Sequence, residues 1–437
     1  MNNQIENRLK SISNIEWYKL TDADFYWQEK IASIVTDSID HTYLVFPTTT
    51  QAIAATISFA AKEQWRMIVC GNGSKLTWGN LTNNIQLVIS SQKCDRIIDY
   101  AVGDLTITVE AGAKLADIQQ KLATESQFLP IDPAYPERAT IGGIVATADT
   151  GSWRQRYGGI RDLVLGLSFV RADGKLAKAG GRVVKNVAGY DLMKLFTGAY
   201  GTLGYISEVT LRTYPLPETS QTLVITGEAE KISSLITLLR NSSLTPTAMD
   251  LVSARAIELL ELGNICGLII RWQTILASIE SQVATVGELT NKLNLQQAVY
   301  RDRDEANLWQ RLTKIMDNSD PETVILAKIG IEPIASVKLI QELDLVAAEN
   351  LTIIHTGSGI GKIQLPANNS PAIDKLRFFC QQHRGYLTIL SAPKFLKNQL
   401  DLWGYPGNAI SMMQTIARQF DPQQILNPNR FLISTNK

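Results

Sequence analysis

Thirteen of the chain's 29 glycines fall between Gly142 and Gly204, where an even spread would leave about four. The densest part reads GGRVVKNVAGYDLMKLFTGAYGTLG, residues 180–204. Apolar residues fill the gaps, and its charges are few and isolated: Arg182, Lys185, Asp191 and Lys194. Glycine loses more conformational freedom on folding than any other residue, so such a cluster needs a reason. The two usual reasons are turns at positive φ and the close approach of a large ligand. Three glycine-rich loops stand between strand-like segments, at 71–79, 142–159 and 180–204. Three in one domain favour a long ligand lying along exposed backbone N–H groups. Such nests bind pyrophosphate without needing Lys or Arg. The first loop, GNGSK, is not the dinucleotide fingerprint G-x-G-x-x-G. It is not a Walker A loop either, because Lys75 follows Ser74 instead of preceding it.

At 437 residues the chain is too long for one ordinary core, which predicts two or three domains. Lys+Arg and Asp+Glu both number 42, so the net charge is zero. A general nucleic-acid binder needs a basic surplus, so the balance argues against one. Cys70, Cys94, Cys266 and Cys380 are scattered without a C-x-x-C spacing. That supports neither an iron–sulfur cluster nor a zinc site, and each is read as a buried free thiol in a reducing compartment. The first twenty residues hold no apolar core of a secretory signal. No run approaches the roughly 18 apolar residues of a membrane span. The expected location is the cytoplasm, with any membrane association peripheral and through partners.

Along the chain, residues 1–40 read as a polar helical lead-in. TYLVFP (42–47), a helix over 48–64 and RMIVC (66–70) predict a β-α-β unit. IQLVIS (85–90) and LTITVEAG (105–112) continue the strands, and 114–126 has helical spacing. Residues 164–180 predict a hairpin turning at Asp173-Gly174. TYPLPE (213–218) marks a boundary, since its prolines end a strand. Beyond it, TLVITG, PTAMDLV, CGLIIRW, TVILAKIG, LTIIHTG and YLTIL read as strands separated mostly by helical patterns. That texture is an α+β domain poor in glycine. The end, AISMMQTIARQFDPQQILNPNRF, reads as a helix and a proline-marked extended tail.

Residues 41–217 resemble the FAD-binding domain of the vanillyl-alcohol oxidase type, also called the PCMH type. The resemblance rests on VFPTTTQAIAATISFA, CGNGSKLTWG, ITVEAGAKLADIQQKL, the ATIGG–RADG stretch and GAYGTLGYISEVTLR, in the family's order. GGRVVKNVAGYDLMKLFTGAYGTLG is similar, more narrowly, to the FAD-binding (E-type) subunits of glycolate oxidase or glycolate dehydrogenase. The fold this implies is α+β, with a two-subdomain FAD-binding domain and an α+β cap domain built on a mainly antiparallel sheet. The implied domains are 1–40, 41–217, a cap at 218–400, and a tail at 401–437 that returns to the FAD domain.

By the same resemblance, the pyrophosphate rests on Gly71, Asn72, Gly73, Ser74 and Lys75. Thr140, Gly142, Gly143 and Gly151 follow the diphosphate and ribityl chain. Gly204 and Ile206 lie at other cofactor contacts, Asp132 lies in the segment before the second loop, and Asn427 in the returning tail. Many relatives attach the flavin through a His in the first loop or a Cys before the second. Neither is present here, so FAD is expected to be non-covalent. The family's N-P-G tail is N-P-N in this chain.

Oxidising a 2-hydroxy acid requires a base for the hydroxyl proton and a cation for the carboxylate. Histidine suits the first task near neutral pH. Only His41, His355 and His383 exist. His41 reads as surface and His383 as a helix end. His355, in IIHTGSGIG, ends a strand before a glycine-rich turn. That turn resembles a degenerate form of the metal-binding His-x-Gly-Asp-Gly-Asn segment of related dehydrogenases. One histidine without a carboxylate nearby does not make a metal site, and none is expected. Lys185 and Tyr190, with Asn186 and Asp191, are further candidates for the flavin-facing site. Loop hydrogen bonding by Asn and Asp explains that segment equally well. Arg154, Arg156 and Arg161 are candidate phosphate or carboxylate ligands or solvated loop residues. Three functions follow: a flavin subunit of a glycolate-oxidising complex beside a related catalytic flavin subunit and an iron–sulfur subunit; a stand-alone FAD-dependent 2-hydroxy-acid dehydrogenase; or a scaffold retaining a silent flavin pocket.

Overall fold

A computed structural model describes residues 2–182, 189–317, 320–405 and 407–431. The chain divides into two compact units: Met1–Thr150 with Gly159–Pro215 and Pro406–Lys437, and Gly151–Gly158 with Leu216–Tyr405.

The first unit holds two larger sheets, besides a short pairing of Gln127–Phe128 with Tyr214–Pro215. One is four-stranded, in the order Ile15–Lys19, Tyr43–Pro47, Ile85–Ser90, Arg66–Cys70. Every residue of Tyr43–Pro47 is buried, as a continuous apolar run between covered faces requires. Thr49 caps the following helix, Thr50–Glu63, by accepting the Ala52 N–H at 3.1 Å. Gln64 ends it in the left-handed region at φ 55°. Tyr43–Pro47 and Arg66–Cys70 do not pair with each other as a simple β-α-β unit would. Ile85–Ser90 inserts between them and runs parallel to both, with Ile89 opposite Val45 on one side and Val69 on the other. The lead-in is not wholly helical, since Ile15–Lys19 pairs antiparallel with Tyr43–Pro47. Its IEWYK alternates half-buried and exposed residues, which is the period of a strand and not of a helix.

The other sheet is antiparallel throughout, in the order Ile97–Ala101, Thr106–Glu110, Tyr205–Arg212, Val164–Val170, Leu176–Gly180. The last two strands form the Asp173-Gly174 hairpin. Gly174 sits at φ 82° and the Asp173 carboxylate accepts the Lys175 N–H. Helices Leu115–Ala123 and Ile141–Thr147 pack Ile118, Leu122, Ile144 and Val145 into a core with Ile107, Val109, Val209 and Leu211. The C-terminal helix Ile410–Phe420 sets Phe420 edge-on to Phe196, ring centres 5.7 Å apart. Beyond it, Leu426 bridges in parallel to Met67 on the outer edge of the four-stranded sheet.

The second unit is built on one eight-stranded antiparallel sheet. Its order is Gln296–Arg301, Thr219–Thr226, Gly267–Thr274, Ala248–Val252, Leu351–His355, Ile360–Pro366, Val324–Gly330, Tyr386–Ser391. Helices Ala229–Arg240, Leu276–Lys292, Ser336–Val346 and Ala372–Gln382 bury Leu235, Ile279, Leu339 and Leu376 in the core on one face. Helices Ala254–Leu259 and Asp302–Asp317 contribute Ile257, Leu308 and Leu312 to a second cluster. Residues 151–158, assigned by sequence to the 41–217 domain, cluster with this unit instead. Gln155 Nε2 donates to the Pro246 carbonyl at 3.4 Å, and the Ser152 hydroxyl donates to Asp250.

Candidate functional site

In the first unit the C-terminal ends of two parallel strands open onto a cleft. Open sheets bind ligands at that end. The loop after Cys70 forms one wall, and its shape depends on close approaches that a side chain would block. A Cβ on Gly71 would lie 2.0 Å from the Thr140 hydroxyl, which is held in place by capping Ile141–Thr147. A Cβ on Gly142 would lie 2.7 Å from that of Ala111. Gly73 turns at φ 71° against Trp27 and Leu76. The loop is pinned from outside: the Tyr26 hydroxyl donates to the Asn72 carbonyl at 2.6 Å, and Asn72 Nδ2 donates to the Arg138 carbonyl at 3.1 Å.

The tail supplies another wall. The Met67 N–H donates to the Ile425 carbonyl and the Asn427 N–H to the Met67 carbonyl, at 2.7 and 2.8 Å. Asn427 Oδ1 accepts the Val69 N–H at 2.8 Å, and its Nδ2 donates to the Tyr200 carbonyl at 2.7 Å. Arg430 is buried and donates to the carbonyls of Leu76, Trp78 and Asn80. Burial lowers its guanidinium to about 10, so it remains a cation at neutral pH.

The cleft encloses about 850 Å³ of empty space, open solvent at its mouth included. Of the residues expected at a cofactor, Gly71, Asn72, Gly73, Ser74, Lys75, Thr140, Gly142, Gly143, Gly204, Ile206 and Asn427 all line it. Asp132 and Gly151 do not, and Gly151 belongs to the second unit. Lys75 is held differently from a simple phosphate ligand. Its ammonium lies 2.9 Å from the Asp149 carboxylate, with both side chains almost fully buried. Asp149 also accepts the Ala134 N–H at 2.7 Å. Cys70 lines the cleft and is not fully buried as a residue, unlike Cys94, Cys266 and Cys380. Burial nevertheless pushes its thiol up to about 12, so it is no thiolate at neutral pH.

Among the described residues, Arg430 and the Asp149-paired Lys75 line this cleft together with glycine backbone, and no Asp or Glu does. Such a wall accepts an anion, and the glycines let the loops that form it pack closely on Thr140, Ala111 and Trp27. The residues therefore fit FAD. Arg430, Tyr200 and Tyr205 escaped the sequence reading. For Arg430 a signal existed in NPNRF, where a lone basic residue follows the proline-marked turn.

The second unit carries the other titratable constellation. Asp250 and His355 sit directly opposite on adjacent antiparallel strands. His355 Nδ1 and Asp250 Oδ1 are 2.7 Å apart, and the Ser152 hydroxyl donates to Asp250 Oδ2. Asp250 is fully buried and His355 nearly so. The turn of His355 lacks an acid, but a carboxylate 105 positions away in sequence reaches it. That corrects the expectation that no carboxylate lies near. One His and one Asp still fall short of a metal site, and no group of three or more potential ligands occurs among the described residues.

The remaining candidates are dispersed. Lys185 and Asn186 lie outside the described residues. Tyr190 is 89% exposed, and Asp191 pairs with Lys194 at 2.6 Å. His41 is exposed. His383 follows helix Ala372–Gln382 and packs on Phe379. Arg161 reaches the Lys194 carbonyl at 3.4 Å, and Arg156 is exposed.

Comparison with known proteins agrees with this geometry. Residues 42–180 match the family profile of an FAD binding domain. A stretch of 175 residues is 36% identical to glycolate oxidase subunit GlcE of Escherichia coli (strain K12), covering 40% of this chain and 49% of that protein. Over 198 residues the chain is 31% identical to glycolate oxidase subunit GlcD of Bacillus subtilis (strain 168), covering 44% of this chain and 42% of the relative. These matches span about half the length of those proteins or less. A longer match, 24% identical, covers 89% of the chain and 90% of D-2-hydroxyglutarate dehydrogenase of Stutzerimonas stutzeri (strain A1501). The solved structure of p-cresol methylhydroxylase with substrate bound has the same fold, with a TM-score of 0.76 over 100% of this chain and 97% of that one at 13% identity. Residues 42–180 thus form an FAD binding domain.

Proposed function

We propose that this chain is the FAD-binding subunit of a 2-hydroxy-acid oxidoreductase complex, converting glycolate to glyoxylate. The observation that carries this reading is the cleft at 71–75, 140–143 and 427–430. Among the described residues it is walled by glycine backbone and lined by Lys75 and Arg430 but by no Asp or Glu. It lies in a chain whose relatives are named glycolate oxidase subunits and 2-hydroxy-acid dehydrogenases. Bound there, FAD would supply the two-electron acceptor for the hydrogen lost from the substrate carbon.

The protein's own residues bind and orient. Gly71, Gly73, Gly142 and Gly143 shape the loops that would lie along the ligand, and Arg430, with the Asp149-paired Lys75, supplies the cationic side chains of the cleft. FAD is held without a covalent bond, since the first loop lacks histidine and the Cys70 thiol stays protonated. His355 is the proton acceptor we assign to the second unit. Electrons leave to an iron–sulfur partner, because the four cysteines of this chain are dispersed. A related flavin subunit completes the complex. Among the described residues no helix is long and apolar enough to cross a membrane, and any association with one would run through those partners.

A stand-alone dehydrogenase is the second reading. It is favoured by the match over 89% of the chain with a D-2-hydroxyglutarate dehydrogenase and by the His355–Asp250 pair. Purified protein, mixed anaerobically with glycolate, D-lactate or D-2-hydroxyglutarate, should lose its flavin absorbance. Sustained turnover with a dye should require the partner subunits under the first reading and not under the second. A colourless protein that takes up no FAD would refute both.

A further inference from the structure

The second unit contains a histidine whose two ring nitrogens are treated differently. Nδ1 of His355 lies 2.7 Å from Asp250 Oδ1. Nε2 has no hydrogen-bond partner among the described residues, and the side chain keeps 8% of its surface exposed. Asp250 itself is 0% exposed and cannot reorient freely. Its second oxygen takes the Ser152 hydroxyl, and its strand pairs with that of His355 over Asp250–Val252. The far side of the imidazole turn is packed as well. A Cβ on Gly357 would lie 2.7 Å from Gln155 Oε1, and the Gly359 N–H donates to the His355 carbonyl at 2.8 Å.

We propose that Asp250, held by Ser152, is a positioning residue that fixes His355 as the Nδ1–H tautomer and leaves Nε2 as the proton acceptor. A buried carboxylate is acceptor-only, so the atom facing it must carry a hydrogen. The neutral imidazole has one hydrogen to place, and Asp250 determines where it goes. The Nε2 lone pair is then available, and the imidazolium formed on protonation lies against a negative charge instead of alone in a buried site. This rests on the reading of the chain as a 2-hydroxy-acid oxidoreductase for the identity of the proton taken. With FAD bound, the substrate O–H would break as its proton bonds to Nε2, and the C–H bond would give up its hydrogen with both electrons to the flavin as oxidant, leaving the 2-oxo acid. The tautomer itself does not depend on that reading.

The chain has three histidines, so ring-¹⁵N spectra can be assigned by single His→Gln variants. In the FAD-loaded protein at neutral pH, His355 should show a protonated Nδ1 and a bare Nε2. Asp250→Asn can turn its amide N–H toward the ring, and the tautomer should invert. Anaerobic flavin reduction by the best of the three acids should then slow by about 10²-fold or more, with FAD content unchanged. Ser152→Ala should keep the tautomer and slow reduction only about fivefold, as loss of one hydrogen bond allows. If Asp250→Asn fails to fold, the wild-type spectrum and Ser152→Ala decide. A wild-type Nε2–H ring, a permanently charged ring, or a tautomer unmoved in Asp250→Asn would each overturn the proposal. If the wild type reduces with an acid and Asp250→Asn reduces as fast, this inference fails while the function stands. If no acid reduces the wild type, the functional reading fails and the spectra still judge the tautomer.

Discussion

Asn427 and Val69, 358 positions apart, are joined by both ends of one carboxamide: Oδ1 accepts the Val69 N–H at 2.8 Å, and Nδ2 reaches the Val69 carbonyl at 3.4 Å. The same Nδ2 donates to the Tyr200 carbonyl. One side chain therefore ties the tail to two walls of the cleft.

Asn427→Ala should destabilise the first unit by about 2–4 kcal/mol, since it orphans buried backbone groups. Asn also suits the left-handed φ of 45° at this position better than Ala does. Asn427→Asp can keep the Val69 bond but would bring a carboxylate into a lining that has no Asp or Glu among the described residues. It should weaken FAD binding at least tenfold while costing less stability than Ala. Thermal melts and flavin titration separate the two effects.

Gly71→Ala should strip the protein of flavin. Its methyl group would stand 2.0 Å from the Thr140 hydroxyl, so the first loop or the capped helix must move. A double variant with Thr140→Ala should recover part of the binding. Flavin-to-protein absorbance ratios after gel filtration give the readout.

Asp149→Asn should cost on the order of 3 kcal/mol, because it removes the carboxylate that pairs with the buried Lys75 ammonium. Adding Lys75→Met should restore stability more than it restores flavin affinity, since a cation in the cleft is then lost. Chemical denaturation with and without FAD tests the sign of both steps.

Burial raises Asp421 to about 6, against the partial restraint of backbone N–H groups led by that of Leu426. A carboxyl raised in the folded state binds its proton more tightly there than in the unfolded chain, where it titrates near 4. Its favourable contribution is complete below about pH 4 and is lost as the pH rises through 6. At pH 7 the charged form costs on the order of 2–3 kcal/mol. Asp421→Asn should therefore raise the melting temperature at pH 7.5 and change it little at pH 4. A variant less stable at pH 7.5 would show that the carboxylate is favoured there.

Much of the cleft was legible because its signal is local. The glycine loops, the Asp173-Gly174 hairpin and the single tail proline-turn are short motifs with one conformational meaning. What escaped was long-range. Asp250 reads as an ordinary strand position in PTAMDLV, and only the sheet order places it across from His355. Lys75 reads as a phosphate ligand until Asp149, just after helix Ile141–Thr147, is seen to hold it. Strand Gln296–Arg301 was invisible because it is an outer strand with nearly every residue exposed. It carries no apolar alternation to read. The lead-in strand Ile15–Lys19 hid its period of two inside a polar composition.

The edge pairing of Arg66–Cys70 with residues 425–427 also bears on biosynthesis. A ribosome adding about 5–20 residues per second spends roughly 20–70 s between Val69 and Asn427. Throughout that time the nascent chain exposes an unpaired strand edge, and the carbonyls of Leu76, Trp78 and Asn80 await Arg430. Uncovered edges recruit other strands. The first unit to be translated is thus among the last to be completed, and its strand edge stays open to unwanted pairing until the tail arrives.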